Sequence, residues 1–269
     1  MNFPFADLTL ARRLERCEAT ANAAFVEARS RVQRGIGAGW IDVNGAYAMF
    51  DGIDSPLTQT FSFGLFATPT NDDLDRIEEF FTTRGAPILH EISPLAATET
   101  MPLLVARGYH PMELSTVLFQ PIVPPPESTG RVQTRLATKS DEEIELWART
   151  AAEGWRSELG ELGDFMHDLA KVSASSAGSS SFFAEIDGEV VGAGALIMHE
   201  GIALMAGAST VPPARNQGAQ RALLEARLRH AAAHGCDLAM MATAPGTTSQ
   251  RNAERRGFRI AYTRTKWGR

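Results

Sequence analysis

The residues best placed to do chemistry are Arg215-Asn216-Gln217-Gly218-Ala219-Gln220, set between a short apolar run and a stretch of helical periodicity. A helix that starts here leaves its first N–H groups without intrahelical acceptors, and the aligned peptide dipoles add partial positive charge at the same end. Gly218 has no side chain to block an approach, so a diphosphate can sit directly on those donors. The end of the chain favours an anion too. Arg251, Arg255, Arg256, Arg259, Arg264, Lys266 and Arg269 stand there against Glu254.

The elements that must position this stretch are legible on either side of it. Residues 202–208 are apolar and uncharged, which suits a strand buried on both faces, and Pro212-Pro213 ends that strand. Beyond Asn216, apolar residues from Ala219 to Ala231 recur at helical spacing. Earlier in the chain, residues 8–33 read as a long amphipathic helix. Asn44-Gly45 joins two strands as a hairpin turn, and residues 58–66 form another strand. Asn71 or Asp72 caps a helix that ends at Gly85. A strand at 87–92, a short helix around Leu103 and a strand at 113–120 follow. Residues 121–130, rich in proline, read as a linker. Past it come a strand at 131–137, a capping box at Ser140–Glu143, and a helix holding Leu162 to Val172. A hairpin turning at Asp187-Gly188, a strand at 238–243, a short helix and a last strand at 259–267 complete the chain.

The order strand, Pro corner, Arg-x-x-Gly, helix resembles the acyl-CoA-binding signature of the GNAT (Gcn5-related) N-acetyltransferases, Val-x-Pro-x-x-Arg/Gln-x-x-Gly-x-Gly/Ala. Pro212, Arg215 and Gly218 stand in register with it. Thr210 takes the place of the valine, and Gln220 that of the last small residue. Gly257-Phe258, closing a helix before the last strand, resembles the end of the family's second motif. The two halves also repeat one order of elements, with 23 positions from Gly85 to Gly108 and 22 from Gly235 to Gly257. The expected fold is α+β: two GNAT-like domains, each a mixed, mostly antiparallel sheet flanked by helices. They span residues 1–122 and 131–269, with the linker at 123–130. The first has no Arg-x-x-Gly between Phe66 and Leu74, so it reads as a duplicated copy that has lost the phosphate cradle.

The resemblance implies transfer of an acetyl group from acetyl-CoA, as co-substrate, to an amine of a small molecule or protein. By register, the main chain of Ser209, Thr210 and Val211 would pair with the pantetheine arm. Arg215, Asn216, Gln217, Gly218, Ala219 and Gln220 would hold the diphosphate. Asn252, in mid-helix where asparagine has no propensity advantage, is a candidate to bond the cofactor or the backbone. Many family members place a tyrosine four residues before the Gly-Phe glycine to protonate the leaving thiolate, and here that position is Ala253. Tyr262 either substitutes as the acid or packs against the sheet. Glu153, His199 and Glu200 are candidates for the base, and ordered water is an equal alternative. The rival to an acetyltransferase is a non-catalytic acyl-CoA-binding or regulatory protein.

Other classes lack their motifs. There is no Gly-x-Gly-x-x-Gly after a first strand, no Gly-Lys-Ser/Thr loop, no Gly-x-Ser-x-Gly elbow and no His/Cys metal spacing. The formal charge of −6 argues against nucleic acid as a partner. No apolar run approaches spanning length, so no membrane partner is expected. Two lone cysteines, Cys17 and Cys236, fit a reducing cytoplasm.

Overall fold

The computed structural model describes residues 2–126, 130–159 and 163–269. They form two compact units, one of residues 1–120 with 240–269, the other of residues 121–239. The break after Gln120 falls at the Pro-rich segment, whose residues 127–129 lie outside the described residues, as does Leu162 of the expected helix. The division departs from a cut at the linker into 1–122 and 131–269, because the last thirty residues pack with the first unit.

In the first unit, Asp7 opens α1 (Leu8–Val32) by accepting from the Leu10 N–H at 3.0 Å. β1 (Gly39–Val43) and β2 (Ala46–Phe50) pair through a two-residue turn, with Asn44 and Gly45 both at positive φ. β3 is shorter than expected, Gln59–Phe61, because Ser62 takes a left-handed φ of 66° and leaves the ladder. α2 (Asn71–Thr82) is capped by Thr70 rather than by Asn71 or Asp72. β4 (Leu89–Ile92), α3 (Thr100–Ala106) and β5 (His110–Pro121) follow.

The chain returns to this unit through α7 (Thr248–Arg255) and β11 (Arg259–Gly268). β11 lies antiparallel between β4 and β5, so the order is β1-β2-β3-β4-β11-β5, with β3 and β4 parallel. One face of the sheet packs Phe63, Leu74, Ile77, Phe81, Leu104 and Trp267, and the other packs Met49 and Phe61 on Ala19, Ala23 and Val26 of α1.

In the second unit, β6 (Val132–Leu136), β7 (Ser179–Ile186), β8 (Glu189–His199) and β9 (Ile202–Thr210) form an antiparallel run in that order. Asp187 and Gly188, at φ 54° and 87°, make the β7–β8 turn. α4 (Asp141–Leu159) and α5 (Gly163–Ser175) set Trp147, Ala148, Ala151, Ala170 and Ala174 against Phe183, Ala193 and Ala195 of the sheet. The box at the start of α4 is half formed. Ser140 Oγ accepts from the Glu143 N–H, but the Glu143 carboxylate turns to the Thr138 N–H at 2.6 Å. α6 (Ala219–Ala233) buries Ala219, Ala222, Leu223, Ala226 and Ala231, and β10 (Leu238–Thr243) carries the chain across the boundary between the units.

Candidate functional site

β9 carries the centre of the site. Ala193 faces Ser209 and Ala195 faces Ala206, so Gly194 of β8 opposes both Gly207 and Ala208. That extra residue is a β-bulge, and Gly207 supplies its left-handed φ of 55°. Arg227 of α6, 3% exposed, fastens the bulge from both strands. Its Nη1 donates to the carbonyls of Ala195 at 2.9 Å and Ala206 at 3.2 Å, and its Nε to Leu223 at 3.1 Å. Burial lowers its pKa to about 10, which leaves it charged at neutral pH. No motif marks Arg227. Its signal was a cation four residues after Leu223, in register with the buried stripe of the helix.

Beyond Thr210, Pro212–Ala214 form a 3₁₀ turn, Arg215 is extended, and Asn216 takes φ 63°. Gly218, at φ 94° and ψ 0°, is the N-cap of α6, and no side chain caps the helix. The N–H groups of Ala219, Gln220 and Arg221 therefore begin the helix without intrahelical acceptors. A Cβ at Gly218 would meet Val132 Cγ2 at 3.8 Å, so the approach is open. Asn216, Gln217 and Gly218 are exposed.

Two expected phosphate contacts take other partners. Arg215 turns back into the unit, donating from Nη2 to the Gly154 carbonyl at 2.7 Å and from Nε to the Thr210 carbonyl at 3.4 Å. It ties the end of β9 to α4, where a Cβ on Gly154 would lie 2.4 Å from Ser209 Cβ. Gln220 Nε2 donates to Thr210 Oγ1 at 3.0 Å. The two positions that depart from the signature are thus bonded to each other. Ser209 Oγ donates to the Ala151 carbonyl, and the Val211 N–H to Val191. The Thr210 carbonyl and the Val211 N–H are therefore already engaged within the protein.

Asn252 and Tyr262 belong to the first unit. Asn252 is an exposed side chain on α7, and Ala253 beside it is buried. Tyr262 is 7% exposed and donates its proton to Glu15 Oε1 at 2.9 Å. Burial, then the charge of Glu15, raises its pKa well above the usual phenol value, which opposes a role as an acid at neutral pH. Around it Arg264 meets Glu18 at 2.6 Å, Glu91 at 3.3 Å and Glu15 at 3.4 Å. Arg264 is thereby removed from the basic tail, as are Lys266, paired with Glu113, and Arg269, paired with Glu78. His199 and Glu200 stand at the β8–β9 turn, the whole length of β9 from the cradle. Glu153 lies next to Gly154 and pairs with Arg156 at 2.9 Å. Among the described residues no group of three or more His, Cys, Asp or Glu is placed to hold a metal, and no helix is long and apolar enough to cross a membrane.

The stretch of the first unit that the expected repeat sets beside α6 is built differently. α2 also follows a strand and a buried turn, but a complete capping box closes its N-terminus. Thr70 Oγ1 accepts from the Asp73 N–H at 3.2 Å, and Asp73 Oδ2 accepts from the Thr70 N–H at 2.9 Å. Asp72 and Asp73 place negative charge in its first turn. An anion would meet occupied donors and two carboxylates there.

Residues 142–258 match the model of the Acetyltransferase (GNAT) family. Solved structures share the fold along nearly the whole chain. The GCN5-related N-acetyltransferase from Kribbella flavida is 17% identical, with a TM-score of 0.62 over 93% of this chain and 94% of that one. The GCN5-related N-acetyltransferase from Sphaerobacter thermophilus is 15% identical, with a TM-score of 0.54 over 93% of each chain. A tandem GNAT protein from the clavulanic acid biosynthesis pathway is 14% identical, with a TM-score of 0.57 over 82% of this chain and 77% of that one. No curated protein matches the sequence. The fold is that of the GNAT proteins.

Proposed function

We propose that the chain is an N-acetyltransferase that takes an acetyl group from acetyl-CoA and passes it to an amine of a small molecule or protein. The observation that carries this reading is the uncapped N-terminus of α6, opened by Gly218 at the end of a bulged strand. Asn216, Gln217, Gly218 and Ala219 fit a diphosphate there through main-chain donors, and the helix dipole favours its charge. Bound acetyl-CoA supplies an activated thioester carbon for the amine to attack. The chain's own contribution is to orient it: Arg227 holds the bulge at Gly207, and Arg215 holds the strand end to α4. Within this reading the first unit is a second GNAT-like copy that has lost its cradle, as the capping box of α2 supports.

A second reading, acyl-CoA binding without turnover, draws support from Ala253 at the usual tyrosine position and from the engaged hydroxyl of Tyr262. Release of thiol from acetyl-CoA in the presence of an amine panel separates the two, since a pure binder releases none. For the shared premise, the test is Gly218→Asp. An aspartate there puts a carboxylate beside the N–H groups that the diphosphate needs, at a φ of 94° that L side chains rarely adopt, so the melting temperature of the variant without ligand is the control for folding. Acetyl-CoA should raise the melting temperature of the wild type and leave that of the variant unchanged. An equal shift in both would remove the cradle from α6.

A further inference from the structure

We propose that Gln220 and Thr210 form a latch across the cofactor cradle, which acyl-CoA binding must open and which sets its affinity. The proposal rests on the cradle reading above. It starts from the pairing of the two residues that stand where the signature has a valine and a small residue. Gln220 is the second residue of α6, and its N–H is one of the donors without an intrahelical acceptor. From there its side chain runs back to the last residue of β9, where Nε2 donates to Thr210 Oγ1 at 3.0 Å. Thr210 is 6% exposed, so the amide is anchored on a buried hydroxyl even though Gln220 itself lies at the surface.

This path joins the two parts of the cradle. A diphosphate on the first turn of α6 and a pantetheine arm along the end of β9 belong to one covalent ligand. The segment linking them must cross the span that the Gln220 side chain already bridges. A glycine or alanine at this position leaves the span clear, whereas here the amide must swing away and give up its bond to Thr210. Arg215 holds the same residue from the other side through the Thr210 carbonyl, so the strand end does not yield and the movable part is the glutamine. Breaking one neutral hydrogen bond on binding weakens affinity by about two- to tenfold.

Calorimetric titration with acetyl-CoA tests this on Gln220→Ala, Thr210→Val and the double variant, with Gly218→Asp as the reference for the cradle. Each single variant should bind about two- to tenfold more tightly than the wild type. The double variant should bind no tighter than the better single one, because both changes remove the same bond. Unchanged or weaker binding in Gln220→Ala, or additive gains in the double variant, would overturn the latch. The two ideas fail separately. If Gly218→Asp abolishes binding while Gln220→Ala leaves it unchanged, the cradle stands and the latch falls. If Gly218→Asp binds as well as wild type, the cradle reading falls and the latch with it. Thermal melting of each variant without ligand confirms the fold, and valine keeps the shape of Thr210.

Discussion

At the scale of single residues, the tyrosine that the sequence offers as an acid lies against a carboxyl strongly perturbed by burial. Tyr262 reads as either an acid or a packing residue, and the structure gives its hydroxyl to Glu15, inside a cluster with Arg264, Glu18 and Glu91. Burial, partly offset by Arg264, pushes the Glu15 carboxyl from 4.5 up to about 7. The folded state therefore keeps a proton between about pH 4.5 and 7 that the unfolded chain has lost. Stability from this group is complete below pH 4.5 and declines as pH rises through 7. Glu15→Gln removes the titration, so the melting temperature of the wild type relative to this variant should fall across that range. A constant difference would show that Glu15 is ionised throughout. None of this was legible in sequence, because Glu15 lies 247 positions from Tyr262 and nothing local distinguishes it from its charged neighbours on α1.

Among the elements, what the sequence showed well was local. The Asn44-Gly45 and Asp187-Gly188 turns and the start of α6 follow from residues that favour left-handed conformations, whereas the cap of α2 falls on Thr70, one residue before the expected Asn71. What it concealed was where side chains go after the element forms. Arg215 matches its signature position yet points inward to Gly154, and Gln220 departs from the signature yet finds Thr210. Motif spacing fixes a Cα and leaves the rotamer to packing. The contrast between α2 and α6 makes a prediction at this scale. Thr70→Ala should lower stability by about 1 kcal/mol through the lost cap, with no change in acetyl-CoA affinity. Weakened acetyl-CoA binding in this variant would place a ligand at α2 and contradict the account.

For the whole molecule, the motifs pointed to the fold, but nothing in the sequence pointed to the return of the chain to the first unit. Residues 240–269 pack with 1–120, and β11 sits between β4 and β5 with a partner on each edge. Strand order of this kind is set by long-range pairing, which periodicity along the chain does not encode. A chain ending at residue 258 would leave β4 and β5 each without a partner on the edge that β11 occupies and remove Tyr262, Arg264 and Trp267. It should lose the cooperative unfolding transition of the first unit, read by circular dichroism and limited proteolysis. A truncated chain that kept this transition would show β11 to be dispensable.

On the proposed function, one end of one helix, α6, takes the acyl donor, while the N-terminus of α2 is closed by its own side chains. The binding stoichiometry of acetyl-CoA, measured by calorimetry on the full chain, tests it most directly. One equivalent per chain is expected, lost in Gly218→Asp. Two equivalents per chain, or one that survives that substitution, would contradict it.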